Sequence, residues 1–180
     1  MASEFAQFAG WMLTQVRRDD EAVSMLAQAL ELADAVEDGT LAAQALNFQG
    51  YLARRQGRQQ GVARWYAAAH TPGAHPAQRL GDLLQSAAGL AALGEADQAL
   101  RVAEEAECLS DLAAAMPTPE TTYWLTPEFN RLSMGLCTLS PGALQTRRLI
   151  TSPPGSPDCR TSRRVPPGRR NALRRAVEAR

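Results

Sequence analysis

The sequence predicts an all-α protein, and three observations lead to this prediction. Alanine, the strongest helix former, supplies much of the 45% hydrophobic content, whereas aromatic residues make up only 6%. Valine, isoleucine and threonine, which favour strands, are sparse before residue 140. Apolar residues recur three or four positions apart, and turn-forming residues separate these periodic segments. We therefore expect antiparallel helical hairpins rather than a sheet.

Seven helices are predicted in chain order. The first covers residues 3–17, with Ser3 as its N-cap and with apolar residues from Phe5 to Val16 on one face. Gly39 suits the C-terminal cap of the second helix, and Thr126 suits the N-cap of the last. The other six helices are expected at about residues 20–38, 40–56, 58–70, 77–93, 95–116 and 127–139.

A repeat of 37 to 40 residues relates the first three hairpins. Gly57 and Gly94 would each end a first helix, and aligning them sets the register of the second and third hairpins. Small residues then recur in the first helices, and larger apolar residues or alanine recur in the second helices. The coinciding sets are Gly10, Gly50 and Ala87 in the first helices, and Leu26, Tyr66 and Ala103 in the second. We expect the two helices of each hairpin to cross closely at these positions.

This pattern resembles the tetratricopeptide repeat, which has a small residue within its first helix, glycine before the turn, then alanine and a large apolar residue. Leu83–Leu109 is the best copy, and the resemblance covers residues 3–140. It implies a short superhelix of stacked hairpins. Residues 141–180 hold six Pro and no sustained apolar period before Leu173, so we expect them to form an irregular C-terminal tail. Arg17 stands where the first copy should carry its turn glycine. An irregular helical bundle has the same hydrophobic periods and stays the alternative.

Three segments are similar to the C-terminal sensor region of helix-turn-helix (XRE-type) transcriptional regulators from high-GC bacteria. They are A-Q-F-A-G-W at 6–11, E-A-V-S-M-L-A-Q-A-L-E-L-A at 21–33 and Y-W-L-T-P-E-F at 123–129. Those regulators carry a DNA-binding domain ahead of their repeats, and no helix-turn-helix is found in this sequence. The resemblance therefore implies the regulatory, repeat half alone.

The tetratricopeptide resemblance also implies a concave groove that is lined by the first helices and binds a protein or peptide. Trp11 and Tyr51 fall in register one hairpin apart, while Asn47 and Arg54 are suited to a peptide backbone or carboxylate. Alternatively, these side chains are ordinary surface residues of partly covered helices. The groove positions carried over to this chain are Gln7, Trp11, Thr14, Asn47, Tyr51, Arg54, Leu84 and Ala88.

Charge divides the chain into a helical domain at 1–140 and an Arg- and Pro-rich tail at 141–180. The domain holds nine Arg and seventeen acidic residues, a net charge of −8, whereas the tail holds ten Arg and two acidic residues, a net charge of +8. The leading interpretation of the tail is a reading-frame change that replaced an original helix. A solvated, disordered tail comes second. A basic arm that contacts phosphates, and hence binds DNA weakly, comes last.

No catalytic, nucleotide-binding or metal-binding motif occurs in the sequence. His70 and His75 flank a Pro-Gly turn with no further metal ligand nearby, so we interpret them as loop residues. Cys108 and Cys137 are interpreted as small core residues, without a disulfide framework. Neither a signal peptide nor a membrane span is predicted. We expect a cytoplasmic, non-enzymatic protein without cofactors that binds a protein or peptide and could form a homo-oligomer.

Overall fold

The computed structural model describes the backbone of residues 1–117 and 120–139, and the side chains of that set except those of residues 121 and 136–139. The described part is helical and contains no strand, which confirms the all-α prediction. The predictions for the tail lie outside the described residues. The helices are α1 (Ala2–Gln15), α2 (Asp19–Ala35), α3 (Gly39–Arg55), α4 (Gln59–Ala69), α5 (Pro76–Ala92), α6 (Ala96–Glu107), α7 (Ser110–Ala115) and α8 (Pro127–Leu139), with a single 3-10 turn at Glu120–Thr122.

The prediction of one continuous helix at 95–116 is wrong, because this segment forms two helices. α6 ends at Glu107 and α7 begins at Ser110. Between them the Leu109 amide donates to the Ala106 carbonyl, a bond three residues back that tightens the last turn. The apolar spacing continues through this break, so the pattern alone could not reveal it.

Capping also differs from the prediction at Ser3, which lies inside α1 and not at its N-cap. Its hydroxyl donates a hydrogen bond of 2.8 Å to the Ala29 carbonyl and so ties α1 to α2. At α8 the prediction is confirmed, because the Phe129 amide donates to Thr126 Oγ1 at 3.2 Å. A serine or threonine hydroxyl near the N-terminus of a helix can therefore either cap that helix or donate a hydrogen bond to a neighbouring helix.

Gly39 was expected to end α2, but it is the first residue of α3. The N-cap of α3 is Asp38, whose Oδ1 accepts hydrogen bonds from the Thr40 and Leu41 amides at 3.0 and 2.9 Å. A Cβ atom at Gly39 would lie 2.7 Å from the backbone of Gly73. The missing side chain therefore allows the start of α3 to approach the loop after α4.

Four helices are followed by a residue whose positive φ places it in the left-handed region of backbone conformation. Arg17, Glu37, Gly57 and Gly94 have φ values of 63°, 54°, 71° and 83°. At each turn the following amide donates to the carbonyl five residues back, as Arg58 does to Ala53, which is the Schellman pattern. Two of the four positions carry a non-glycine residue in a conformation that favours glycine. Arg17 thus keeps the expected turn geometry without the expected residue.

The helices of each hairpin cross at the positions that the repeat register predicted. A Cβ added to Gly10 would lie 2.7 Å from Leu26, and one added to Gly50 would lie 2.6 Å from the Tyr66 ring. In the third hairpin the corresponding residues, Ala87 and Ala103, pack in one buried cluster. All three pairs are sixteen residues apart in the sequence. The first three hairpins are therefore structurally equivalent at their crossing points.

The hairpins follow one another in a row, and each helix from α1 to α6 packs against the next. The first helices also contact each other, α1 with α3 and α3 with α5. α8 does not continue the row. It packs extensively against α5, whereas its contact with α6 is minor. As a result α5 is almost entirely buried, between α4, α6 and α8. Within the described residues, none of the helices is both long and apolar enough to cross a membrane.

Candidate functional site

The eight predicted groove residues divide into two groups by exposure. Trp11, Tyr51 and Arg54 keep part of their side chains accessible to solvent. The other five are buried and are described below with their contacts: Gln7, Thr14, Asn47, Leu84 and Ala88. We use "inner face" for the side of α1, α3 and α5 that carries the hydrogen bonds between these first helices.

Gln7 and Thr14 are buried, and the Gln7 amide nitrogen and the Thr14 hydroxyl donate hydrogen bonds to other groups of the helices. The Gln7 amide nitrogen donates to Ser3 Oγ at 3.1 Å and to the Leu41 carbonyl at 3.0 Å, so it joins α1 to α3. The Thr14 hydroxyl donates to the Gly10 carbonyl one turn earlier, at 3.0 Å. Each side chain is 1% exposed, which gives both a structural role in this fold.

Asn47 belongs to a buried polar cluster centred on Asp82. Its Nδ2 donates to Asp82 Oδ1 at 2.6 Å, and Gln78 Nε2 donates to both oxygens of the same carboxyl group at 2.9 Å. Asp82 is 0% exposed, and burial raises its pKa to about 8 in spite of these two donors. The carboxyl group is therefore mainly protonated at neutral pH, and the cluster links α3 to α5.

Leu84 and Ala88 lie in the core between α5 and α6. Leu84 packs with Leu80, Leu83 and Ala106, whereas Ala88 packs with Ala87 and Ala103. Their apolar side chains are removed from solvent. The third hairpin thus contributes packing residues at the two positions that the register had assigned to the groove.

Tyr51 and Arg54 lie along the α3 portion of the inner face, whereas the Trp11 ring contacts the Phe8 ring of the same helix, with 5.8 Å between their centres. Gln15, one turn after Trp11, donates to the Tyr51 hydroxyl at 3.1 Å. The Arg54 guanidinium lies over the Tyr66 ring, 5.3 Å from its centre, and donates to Gln85 Oε1. Burial raises the pKa of Tyr66, and the Arg54 charge acts in the opposite direction. These contacts hold Tyr51 and Arg54 in fixed positions beside the accessible part of the face.

The α5 portion of the inner face is covered by the chain's own residues 120–139. The Trp124 ring lies 6.1 Å from the Phe48 ring, and Leu125 sits over Gly81, where an added Cβ would be 2.7 Å from it. Gln85 Nε2 donates to Ser133 Oγ at 2.6 Å. We call residues 120–139 the covering segment. It reaches α3 at Phe48, and the accessible part of the inner face lies at Tyr51 and Arg54 of α3 and at Gln15 of α1.

The two histidines contribute to the structure of the loop before α5. His75 is the N-cap of α5, and its Nδ1 accepts a hydrogen bond from the Ala77 amide at 3.2 Å. His70 lies 3.4 Å from Glu105, and its pKa is lowered by burial and by the nearby Arg79. Among the described residues, no group of three or more His, Cys, Asp or Glu side chains is arranged to hold a metal ion.

The prediction that Cys108 is an unpaired core residue is wrong. Cys108 is disulfide-bonded and only half-buried, at the C-cap of α6. The sequence separation of the cysteines gave no indication of this bond.

These features define a helical-repeat-like all-α protein with a partly covered inner face. Comparison of the chain with protein-family models, with curated proteins and with solved structures finds no match.

Proposed function

We propose that this protein is a non-catalytic, partner-binding helical repeat module that receives a peptide segment on the inner face of α1 and α3. The similarity of segments 6–11, 21–33 and 123–129 to the sensor region of helix-turn-helix regulators extends this proposal to the regulatory half of a bacterial transcriptional regulator acting in the cytoplasm. The observation that carries the proposal is that Tyr51 and Arg54 stay partly exposed on the inner face, where Gln15 and Gln85 hold them. Exposed aromatic and arginine side chains are enriched at the energetic centres of interfaces.

The chemistry of these residues suits a peptide that carries a carboxylate. Tyr and Trp supply rigid contact area at low cost in conformational entropy. One guanidinium nitrogen of Arg54 is bonded to Gln85, and the remaining N–H groups can donate to a ligand carboxylate. Because Tyr66 and Gln85 already orient Arg54, little further ordering is needed when a ligand binds.

The proposal can be tested by placing a photo-crosslinking amino acid at Tyr51 in the full chain, expressed in high-GC bacterial cells. Val36 is the matched control position, because it is an exposed apolar residue at the end of α2. We expect one discrete adduct from position 51 and none of the same mass from position 36. No adduct at 51, or the same adducts from both positions, would contradict the proposal.

A second candidate function, nucleic-acid binding, is favoured only by the net charge of +8 at 141–180. The net charge of −8 on residues 1–140 opposes contact between the helical body and phosphates. DNA binding that weakens steeply with salt, and that is lost when residues 141–180 are deleted, would favour this function over peptide binding.

A further inference from the structure

Four apolar side chains, three on α1 and one at its C-cap, are exposed to solvent. Phe5, Phe8, Met12 and Val16 are spaced three or four residues apart and form one stripe along the helix, which we call the α1 ridge. Phe5 is 75% exposed and Phe8 60% exposed. The buried side of the same helix is formed by small or polar residues: Ser3, Ala6, Gln7, Gly10 and Thr14. The ordinary amphipathic arrangement of a surface helix is therefore reversed in α1.

A shallow, open apolar groove lies beside the α1 ridge, between α1 and α2. It is lined by Phe5 and Ala9 of α1 and by Met25, Gln28 and Leu32 of α2. Ala6 also lines the groove and packs with Ala29 of α2 and Ala45 of α3, while Phe5 and Phe8 of the ridge stay exposed. The ridge and the groove thus form one uncovered apolar surface at the end of the row of hairpins.

The charges around this surface are acidic. Residues 1–38 hold eight acidic residues and two arginines, a net charge of −6, and α1 itself carries no basic residue. Asp20, Glu21, Glu31 and Asp34 of α2 are exposed. Glu21 lies beside the groove, next to Leu13 and Met25, and is paired with Arg18, whereas no ion pair is found for Asp20, Glu31 or Asp34 among the described residues. A partner that buries the apolar surface would therefore also meet a negative potential.

We propose that the α1 ridge and its groove receive the apolar face of a cationic amphipathic helix. A helix fits because the groove lies between two helices, where one apolar stripe of a third helix can pack. Lysine or arginine on the flanks of that helix would face the acidic residues of α2. A second copy of this chain is disfavoured as the occupant, because each copy would bring a net charge of −6 to the contact.

The proposal is tested with a synthetic peptide of leucine and lysine whose leucines recur at i, i+3, i+4 and i+7. Its affinity for the full chain is measured by fluorescence anisotropy at low and physiological salt. A scrambled peptide of the same composition is the peptide control. The test variant carries Phe5→Ser and Phe8→Ser, and the matched control variant carries Leu112→Ser and Leu132→Ser, which replace exposed leucines on α7 and α8. Circular dichroism verifies that both variants keep the helical fold.

We expect the test variant to bind the peptide about tenfold more weakly, and the control variant to bind as the unmodified chain does. The scrambled peptide should also bind about tenfold more weakly, because its leucines no longer share a face. Equal losses in both variants, or equal affinity for both peptides, would overturn the proposal. A dimer in sedimentation that dissociates in the test variant would overturn it in favour of a second copy. Since Tyr51 is unchanged here, failure of this proposal leaves the inner-face proposal intact.

Discussion

Asn47 on α3 donates a 2.6 Å hydrogen bond to the fully buried carboxyl group of Asp82 on α5, thirty-five residues later. This bond joins the second and third hairpins through a polar contact in an interior that is otherwise largely apolar. Gln78 provides the second donor from within α5, one turn before Asp82. Because the side chain is excluded from water, its protonation state becomes part of the stability of the fold.

The burial of Asp82 predicts that stability falls as the pH rises through neutrality. An unfolded aspartate titrates near pH ~3.9, whereas burial raises the pKa of folded Asp82 to about 8. Between these values the folded state holds more protons than the unfolded state, so the free energy of unfolding decreases with increasing pH. The slope is at most about 1.4 kcal/mol per pH unit, and the effect is complete above the folded pKa.

Replacing Asp82 by asparagine should remove this slope, since the amide cannot ionise. The measurement is urea unfolding of both proteins from pH 5 to pH 8. His70 acts in the opposite sense, because its lowered pKa makes the folded state less stable as the pH falls below about 6.5. That contribution is common to both proteins and cancels in their difference. Parallel pH profiles would show that the Asp82 pKa is not raised.

The turn after α1 predicts that Arg17→Gly stabilises the protein by about 0.5–1 kcal/mol. Arg17 has a φ of 63° and occupies the position that Gly57 and Gly94 occupy in the next two hairpins. Glycine adopts this conformation without the steric cost of a Cβ atom. Thermal unfolding of the variant measures the gain.

Gly57→Ala is the reciprocal control for this turn. A Cβ added to Gly57 would have no neighbour within 4 Å, so any loss comes from the φ of 71° alone. We expect a loss of about 1 kcal/mol. If Arg17→Gly destabilised the protein while Gly57→Ala had no effect, the proposed equivalence of the two turns would be wrong.

The crossing points predict coupled effects at Gly50 and Tyr66. A methyl group at Gly50 would lie 2.6 Å from the buried Tyr66 ring, and we expect Gly50→Ala to cost about 1–3 kcal/mol. Combining it with Tyr66→Ala recreates the alanine pair of Ala87 and Ala103 in the third hairpin. The double variant should then be more stable than the sum of the two single losses by about 1 kcal/mol or more. Additive losses in chemical denaturation would contradict this crossing geometry.

The covering segment predicts a second close contact that can be tested in the same way. Alanine is a better helix former than glycine, so Gly81→Ala would favour α5 by helix propensity. The Cβ atom of the new alanine would nevertheless lie 2.7 Å from Leu125. We expect Gly81→Ala to expose the covering segment to faster amide hydrogen exchange. Leu125→Ala in the same chain should reverse part of this change by making room for the methyl group. Unchanged exchange at 123–135 in Gly81→Ala would mean that Leu125 does not pack there.

The helices, their turns and their crossing points could be predicted from the sequence because each depends on local periodicity. α8 begins and ends at the predicted residues, and Gly10, Gly50 and Ala87 lie at the predicted crossings. These features need only helical spacing and the small size of glycine and alanine. The repeat register adds which positions of two helices should meet.

The polar contacts and the orientation of α1 could not be predicted, because they depend on residues distant in the sequence. Arg79 stands one turn before Asp82 in α5 but contacts His70, whereas the donor Asn47 belongs to another hairpin. Periodicity identifies the apolar face of α1 but not whether a neighbour covers it, so Phe5 and Phe8 gave no sign of their exposure. In the same way, Leu125 does not reveal from its own position that residues 120–139 fold back over α5.

The most direct test of the proposed function is calorimetry of the partner that is crosslinked at position 51, titrated into three proteins: the unmodified chain, Tyr51→Ala and Gly57→Ala. Tyr51→Ala removes a contact on the inner face, whereas Gly57→Ala lowers stability at a turn away from it. We predict that Tyr51→Ala weakens binding by about 1–3 kcal/mol and that Gly57→Ala leaves the affinity unchanged. Equal affinities for all three proteins would contradict the account of the inner face as the binding site.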